Sequence, residues 1–321
     1  MSSPARSTGR ASLTKSPVLV TLDMDRTLIY SANAITQGAP DASRAEVLLA
    51  AARCVEIYQG KPQSYMSDAA IASLMELDRI AQVVPTTTRT IEQYRRIELP
   101  LGTPEFAITS NGGNILVHGE SDESWSVHVA GLLGGLGAGI DDVHQRLDSD
   151  SRGTDWLRTL RIADGLFCYV VVELDLLPPD VVPRWASWAA EVGWNVSRQG
   201  RKVYVMPDPV TKHIAVEEVR RRMPVWPRVS LAAGDGVLDQ PMLVGSDAAI
   251  RPRHGELEEL GWQHPDVAVT TGRGLAASEE MLEWLIERTG TVESVVEPDI
   301  PSTVPTGADG ANISIPNEGL R

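Results

Sequence analysis

Cysteine is nearly absent. Only Cys54 and Cys168 occur in 321 residues, far apart in the chain and without metal-ligand spacing. That argues against a disulfide framework or a cysteine-held metal, and makes a reduced, cytoplasmic setting the expectation. Long apolar runs are absent too. No stretch approaches the ~20 residues that a membrane span requires. Positive charge is in deficit, with 29 Lys and Arg against 43 Asp and Glu, a net charge of −14. Nucleic acid and anionic membranes are therefore disfavoured as partners. The stretch from Met1 to Ser16 is basic and polar but lacks the apolar core of a signal peptide, and is expected to be disordered. From Val292 to Arg321 the chain is rich in Pro, Gly, Ser and Thr and shows no helical or strand period, so a disordered tail is expected there as well. No internal repeat is present.

What the chain does contain begins with Val18-Leu19-Val20-Thr21-Leu22-Asp23-Met24-Asp25-Arg26-Thr27-Leu28. A continuous apolar run of this length predicts a strand buried on both faces of a parallel sheet. Ligands of such sheets bind beyond the carboxyl ends of the strands. Two aspartates stand at that end. Burying carboxylates side by side is unfavourable unless a cation compensates them. Magnesium, which takes hard oxygen ligands, suits the pattern; a solvated turn at the end of a strand would also produce it.

Three later segments share the same design. Ala81-Gln82-Val83-Val84-Pro85-Thr86-Thr87-Thr88-Arg89 is a strand ending in hydroxyls. Lys202-Val203-Tyr204-Val205-Met206-Pro207-Asp208-Pro209-Val210-Thr211-Lys212-His213 is a strand, a turn and a helix start that carries a lysine. A lysine there opposes the helix dipole, which favours a functional reason for it. Val229-Ser230-Leu231-Ala232-Ala233-Gly234-Asp235-Gly236-Val237-Leu238-Asp239-Gln240-Pro241-Met242 is an apolar strand running into two more aspartates. Glycines in that loop allow backbone to approach a ligand.

Together, and in this order, the four segments resemble the signature of the haloacid dehalogenase superfamily. The resemblance implies an α/β core with a doubly wound parallel sheet. It implies Asp23 as nucleophile, Asp25 as general acid and base, and Thr87 and Lys212 as phosphate-binding groups. Thr86 and Thr88 leave the register of the hydroxyl open by one residue. It also implies Mg2+ held by Asp23, Asp25 and Asp235, with Asp239 acting through water or by orienting Lys212. Two residues depart from the pattern. Arg26 and Thr88 both stand where glycine is usual, and Arg26 is placed to narrow the site or contact substrate.

About ninety residues separate Asn111 from Lys202, too many for a loop. Within them a helix is expected over 127–147, a strand over 166–173, a Trp-bearing helix over 183–192 and a strand pair over 194–206. This mixture, between the second and third motifs, is similar to the C2 type of α+β cap. The glycine cluster at 131–139 lacks both the dinucleotide fingerprint and the Lys-Ser/Thr ending of a phosphate loop, and reads as a cap loop. The expected division is an N-terminal extension at 1–15, a core at 16–115 and 203–290, a cap at 116–202 and a tail at 291–321.

Substrate contacts are expected from Arg26 and from the cap cations Arg198, Arg201 and Lys202, with Arg158 and Arg161 as further candidates. Asn111 either touches substrate or forms the Asn-Gly turn of a hairpin. The resemblance implies a phosphatase acting on a small phosphorylated metabolite, sugar-phosphate-like or nucleotide-like, through an aspartyl-phosphate. Capped enzymes of the sucrose-phosphatase and Cof-like groups are the nearest in pattern. The run Asp-x-Asp-Arg-Thr-Leu-Ile-Tyr-Ser is similar to a bacterial subgroup found with tellurium-resistance-type gene clusters. A non-catalytic ligand- or partner-binding module, or a phosphomutase, is the alternative.

Overall fold

The computed structural model describes residues 17–223, 227 and 229–296, with the side chains of 292–296 not described. The first part of the chain runs through β1 (Val18–Leu22), α1 (Ala32–Gly38), α2 (Ala42–Ala51), β2 (Arg53–Tyr58), β3 (Lys61–Met66), α3 (Asp68–Ile80), β4 (Gln82–Pro85) and α4 (Ile91–Arg95). Next come β5 (Phe106–Thr109), β6 (Asn114–Val117), β7 (Glu120–Ser121), α5 (Glu123–Leu133), α6 (Ile140–Ser151), β8 (Leu157–Ala163), β9 (Phe167–Val172) and α7 (Val181–Glu191). The chain continues with β10 (Trp194–Gln199), β11 (Lys202–Pro207), α8 (Lys212–Arg222), β12 (Val229–Ala233), α9 (Gln240–Val244), β13 (Ala248–Arg251), α10 (Glu256–Glu259), β14 (Val267–Val269) and α11 (Leu275–Val296).

A five-stranded parallel sheet in the order β14-β13-β12-β1-β4 forms the core. Strand β1, between β12 and β4, is fully buried because both faces are covered. Side chains alternate across a strand. Val18, Val20 and Leu22 pack with Leu74 and Leu77 of α3 and Leu282 and Leu285 of α11. Leu19 points the other way, with Val216 and Val219 of α8 and Met242 of α9. An apolar run without alternation is what this two-sided burial requires. The bridge between Thr86 and Ile108 attaches the antiparallel group β5-β6-β7 beyond β4.

Between β7 and α8 lies a second sheet, antiparallel, in the order β10-β11-β9-β8. One face carries Val170, Val172, Val203 and Val205 against Val143 and Leu147 of α6 and Trp185 and Ala189 of α7. This is an antiparallel-sheet cap with its own apolar core. The expected boundary at 202/203 falls inside β11, so the cap sheet extends to Pro207.

Local chemistry accounts for several elements. Ser67 caps α3 by accepting from the Ala70 N–H, with Asp68 in the first turn and Arg79 in the last to oppose the helix dipole. Thr90 and Gln93 close a capping box on α4. The helix expected over 127–147 is instead two helices. The glycine cluster separates them, as a loop in which the Gly137 N–H donates to the Val192 carbonyl at 3.0 Å. β8 was missed, because an edge strand carrying the exposed Arg158 and Arg161 lacks an apolar run. The last helix continues to Val296, past the expected start of the tail at 291. Residues 1–15 and 297–321, where disorder is expected, lie outside the described residues. Among the described residues no helix is long and apolar enough to cross a membrane.

One turn ties the fold to the site. Asn111 and Gly112 follow β5 with positive φ, 58° and 96°. A side chain at Gly112 would meet the Thr211 carbonyl oxygen at 2.2 Å, directly before Lys212. Gly112→Ala should therefore lower stability by about 2–4 kcal/mol, from strain and overpacking together. Urea unfolding would measure it, and a change below about 0.5 kcal/mol would show that the turn does not need glycine.

Candidate active site

Parallel order brings three strand ends together. β1 delivers Asp23, β4 delivers Thr86 to Thr88, and β12 leads to Asp235. The Asp23 N–H donates to the Ala233 carbonyl at 2.9 Å, which fixes the nucleophile candidate beside the β12 loop. After β1 the chain turns sharply. The N–H groups of Leu28 and Ile29 both donate to the Met24 carbonyl, and the Arg26 N–H donates to Ile29. The turn leaves Asp23 buried and Asp25 half-exposed, a difference in environment between two residues only two apart.

Lys212 heads α8 and is buried almost completely. Its ammonium donates to Asp23 Oδ1 and to Asp239 Oδ1, each at 2.6 Å. The other oxygen of Asp239 accepts from the Gly236 N–H at 2.9 Å. Both Asp239 oxygens are thus committed to Lys212 and to the loop. Asn111 stabilises the approach to α8, since its Nδ2 donates to the Val210 carbonyl. It forms the turn of the β5–β6 connection, and its Oδ1 is buried without a hydrogen-bond partner among the described residues.

Ligand oxygens of Asp23, Asp235 and Asp239 lie within 4.8 Å of one another, and all three residues are buried. One buried lysine cannot balance them. Burial, with help from Asp239, pushes the Asp23 carboxyl up to about 7 against the pull of Lys212. Burial and the charges of Asp23 and Asp239 raise Asp235 well above its ordinary value. Lys212 is held above the usual lysine range, because its two carboxylates outweigh its burial. Hard oxygen donors with uncompensated negative charge fit a divalent cation such as magnesium. Gly255, at φ 91°, makes room for this arrangement: a side chain there would lie 2.3 Å from Asp235 Oδ2.

Asp25 is managed differently. Burial alone would raise its carboxyl, but the Arg89 guanidinium beside it holds it below the ordinary value. Arg89 grips both oxygens, Nε to Oδ2 at 2.7 Å and Nη2 to Oδ1 at 2.8 Å. Its remaining nitrogen meets Glu56 at 2.9 Å. Ser64 donates to the same Glu56 carboxylate. The β2–β3 hairpin therefore fixes the orientation of Arg89, and Arg89 that of Asp25. Sequence reasoning missed this pair. Arg89 ends the second motif and could have been taken with Thr87; nothing in the local sequence marks Glu56.

Of the three threonines, Thr86 donates its hydroxyl to the Val84 carbonyl inside the sheet. Thr87 Oγ1 accepts from the Arg89 N–H, which leaves its own proton to donate. Thr88 pairs with Tyr204 of the cap. On the cap sheet, Lys202 is close enough to Asp25, Arg89 and Glu56 to feel their charges. Arg198 and Arg201 are not brought to the cluster: the first donates to the Gly200 carbonyl and the second faces Glu173 at 4.0 Å. Arg158 also pairs with Glu173. At the far end of the sheet, Gln199 reaches Glu256 beside the β12 loop. The cap thus spans the cleft from Thr88 to Glu256. Arg26 Nε stands 3.7 Å from Asp235 Oδ2.

No family model and no curated protein sequence matches the chain. Solved structures do. The fold is similar to sucrose-phosphatase from Synechocystis sp. PCC6803, solved in complex with sucrose and phosphate. The match has a TM-score of 0.58 and 13% identity, over 85% of this chain and 98% of that one. It is similar also to Thermoplasma acidophilum 0175, with a TM-score of 0.52 and 13% identity over 86% and 99% of the two chains. The likeness shows the fold, an α/β core with a parallel sheet and an antiparallel-sheet cap.

The raised carboxyls carry a pH signature. A carboxyl raised to about 7 binds its proton more tightly folded than unfolded, so its stabilising contribution is lost as pH rises through 7. His254 is lowered to about 4 by burial, so it acts with the opposite sign, but only below its ordinary 6.5. Between pH 6.5 and 8, in a chelator, the urea midpoint should fall, and Asp23→Asn should flatten the fall. A midpoint that rises over this window in the wild-type protein would contradict the electrostatics of the site.

Proposed function

We propose that the protein is a magnesium-dependent phosphatase that hydrolyses a small phosphorylated metabolite, sugar-phosphate-like or nucleotide-like, through an aspartyl-phosphate. The observation that carries this reading is the pairing of two aspartates, two residues apart, in opposite environments. Asp23 is buried against Lys212 at 2.6 Å, while Asp25 is half-exposed in the grip of Arg89. Without a cation the shifts run opposite to these roles, Asp23 raised and Asp25 lowered, so the reading rests on placement: a buried carboxylate held by Lys212 suits a nucleophile, and a half-exposed one beside it suits an acid–base group.

In the reaction, the Asp23 carboxylate attacks phosphorus in line as the bond to the ester oxygen breaks. Asp25 gives its proton to that leaving oxygen. The negative charge of the ester, brought beside Asp25, favours the protonated form that this step needs. Lys212 and the Thr87 hydroxyl bind the phosphoryl oxygens. Asp25, now ionised, takes a proton from water, the water oxygen attacks phosphorus, and the bond to Asp23 breaks to free inorganic phosphate. Asp23, the Asp25 main-chain carbonyl and Asp235 would hold magnesium, with Asp239 acting through Lys212. When bound, the ion neutralises charge on the transferring phosphoryl group and keeps the buried carboxylates ionised. The cap excludes water and limits access to small substrates.

Phosphate release from a panel of phosphorylated metabolites tests the proposal. Release should require magnesium, vanish in Asp23→Asn, and fall by about 10²–10⁴-fold in Asp25→Asn. Turnover that survives intact in Asp23→Asn would sink the assignment.

A further inference from the structure

Arg26 is expensive to place where it is. Its backbone φ is 62°, a left-handed conformation that costs an ordinary side chain of order 1–3 kcal/mol. The surroundings hold it there. His254 Nδ1 accepts from the Gly274 N–H, which leaves the ring proton on Nε2 to donate to the Arg26 carbonyl at 2.8 Å. The backbone is pinned, but the side chain is not. It is 40% exposed, and Nε stands 3.7 Å from Asp235 Oδ2, too far for a hydrogen bond and close enough for strong attraction. On its other side Arg26 lines a cavity of about 230 Å³ with Tyr30, His254, Glu258 and Glu259. Arg273 lines the same cavity and Glu258 already pairs with Arg251 at 2.8 Å, so Glu259 is the acidic partner a displaced guanidinium would find there.

We propose that Arg26 is a built-in counter-cation of the acidic cluster, sitting against Asp235 in the metal-free protein and giving way into the Glu258–Glu259 cavity when a divalent ion binds. The inference rests on the reading of this cluster as a magnesium site. Its physical basis is competition. A guanidinium keeps its charge at any physiological pH and so offsets part of the Asp235 charge whenever that carboxyl is ionised. A divalent ion at the same carboxylate meets that positive charge and must displace it. Arg26 therefore stabilises the empty site and weakens the filled one. The strained backbone position is explained on the same terms, since no other described cation reaches Asp235 this closely among the ion pairs.

Calorimetric titration of the whole protein with Mg2+ alone, without substrate, tests this. Arg26→Gln keeps a side chain on the strained backbone and removes the charge; Arg26→Lys keeps a charge; Arg26→Gly removes both charge and strain. Arg26→Gln and Arg26→Gly should bind Mg2+ about tenfold or more tightly than wild type, from loss of a charge within a few ångströms. Arg26→Lys should stay near wild type. In chelator at pH 8, Arg26→Gln should also unfold at lower urea than wild type, a cost that a purely steric residue would not show. Equal affinities for wild type and Arg26→Gln, with binding still abolished in Asp235→Asn, would overturn the counter-cation and leave the metal site standing. No binding by any of these proteins would overturn both.

Discussion

Three carboxylates and one lysine, buried together at the ends of parallel strands, set the terms for the rest of this molecule. Removing charges from water is costly, and an unpaired buried charge is costlier still. Lys212 must therefore reach Asp23 and Asp239 at once, with both contacts at 2.6 Å. That requirement places the start of α8 directly under the end of β1, against the preference of a helix N-terminus for negative charge. The Asn111-Gly112 turn presses on the Thr211 carbonyl and fixes where α8 begins. Asp239 spans the gap from Lys212 to the Gly236 N–H and so ties the β12 loop to the same ion pair. Even so, the pairing is incomplete, since three buried carboxyl groups share one buried ammonium.

A second ionic layer surrounds the first. Asp25 sits two residues from Asp23 but belongs to a different network, through Arg89 to Glu56 and Ser64 on the β2–β3 hairpin. The sharp turn after β1 makes the separation possible. One carboxylate points down into the cluster and the other out into the cleft beneath the cap. Lys202 and Tyr204 of the cap sheet approach this second layer, not the first. The cap therefore meets the layer that holds Asp25, and the buried cluster takes the other side of the cleft.

The apolar run from Val18 to Leu22 and the Gly-Asp-Gly loop were legible in the chain because each depends on neighbours in sequence. A strand buried on both faces needs no alternation. The split of the expected 127–147 helix was legible only in part. The glycines were visible, but the close approach of Gly137 to the Val192 carbonyl that requires a loop there lies 55 residues on. β8 escaped because its pattern is that of an edge, half-exposed and broken by Arg158 and Arg161.

The same division holds for the site. The sequence by itself determined which groups could carry the chemistry: Asp23, Asp25, Thr87, Lys212, Asp235 and Asp239 each end an apolar strand or start a helix, and that position is a local property. Only the tertiary structure decided what each group faces. It set Arg89 against Asp25, brought Glu56 across from a hairpin, turned Asn111 into a brace, kept Arg198 and Arg201 on the cap, and placed Arg26 beside Asp235. Those pairings join residues tens to hundreds of positions apart. Their energies depend on distance and burial in three dimensions, which no local pattern of residue types encodes.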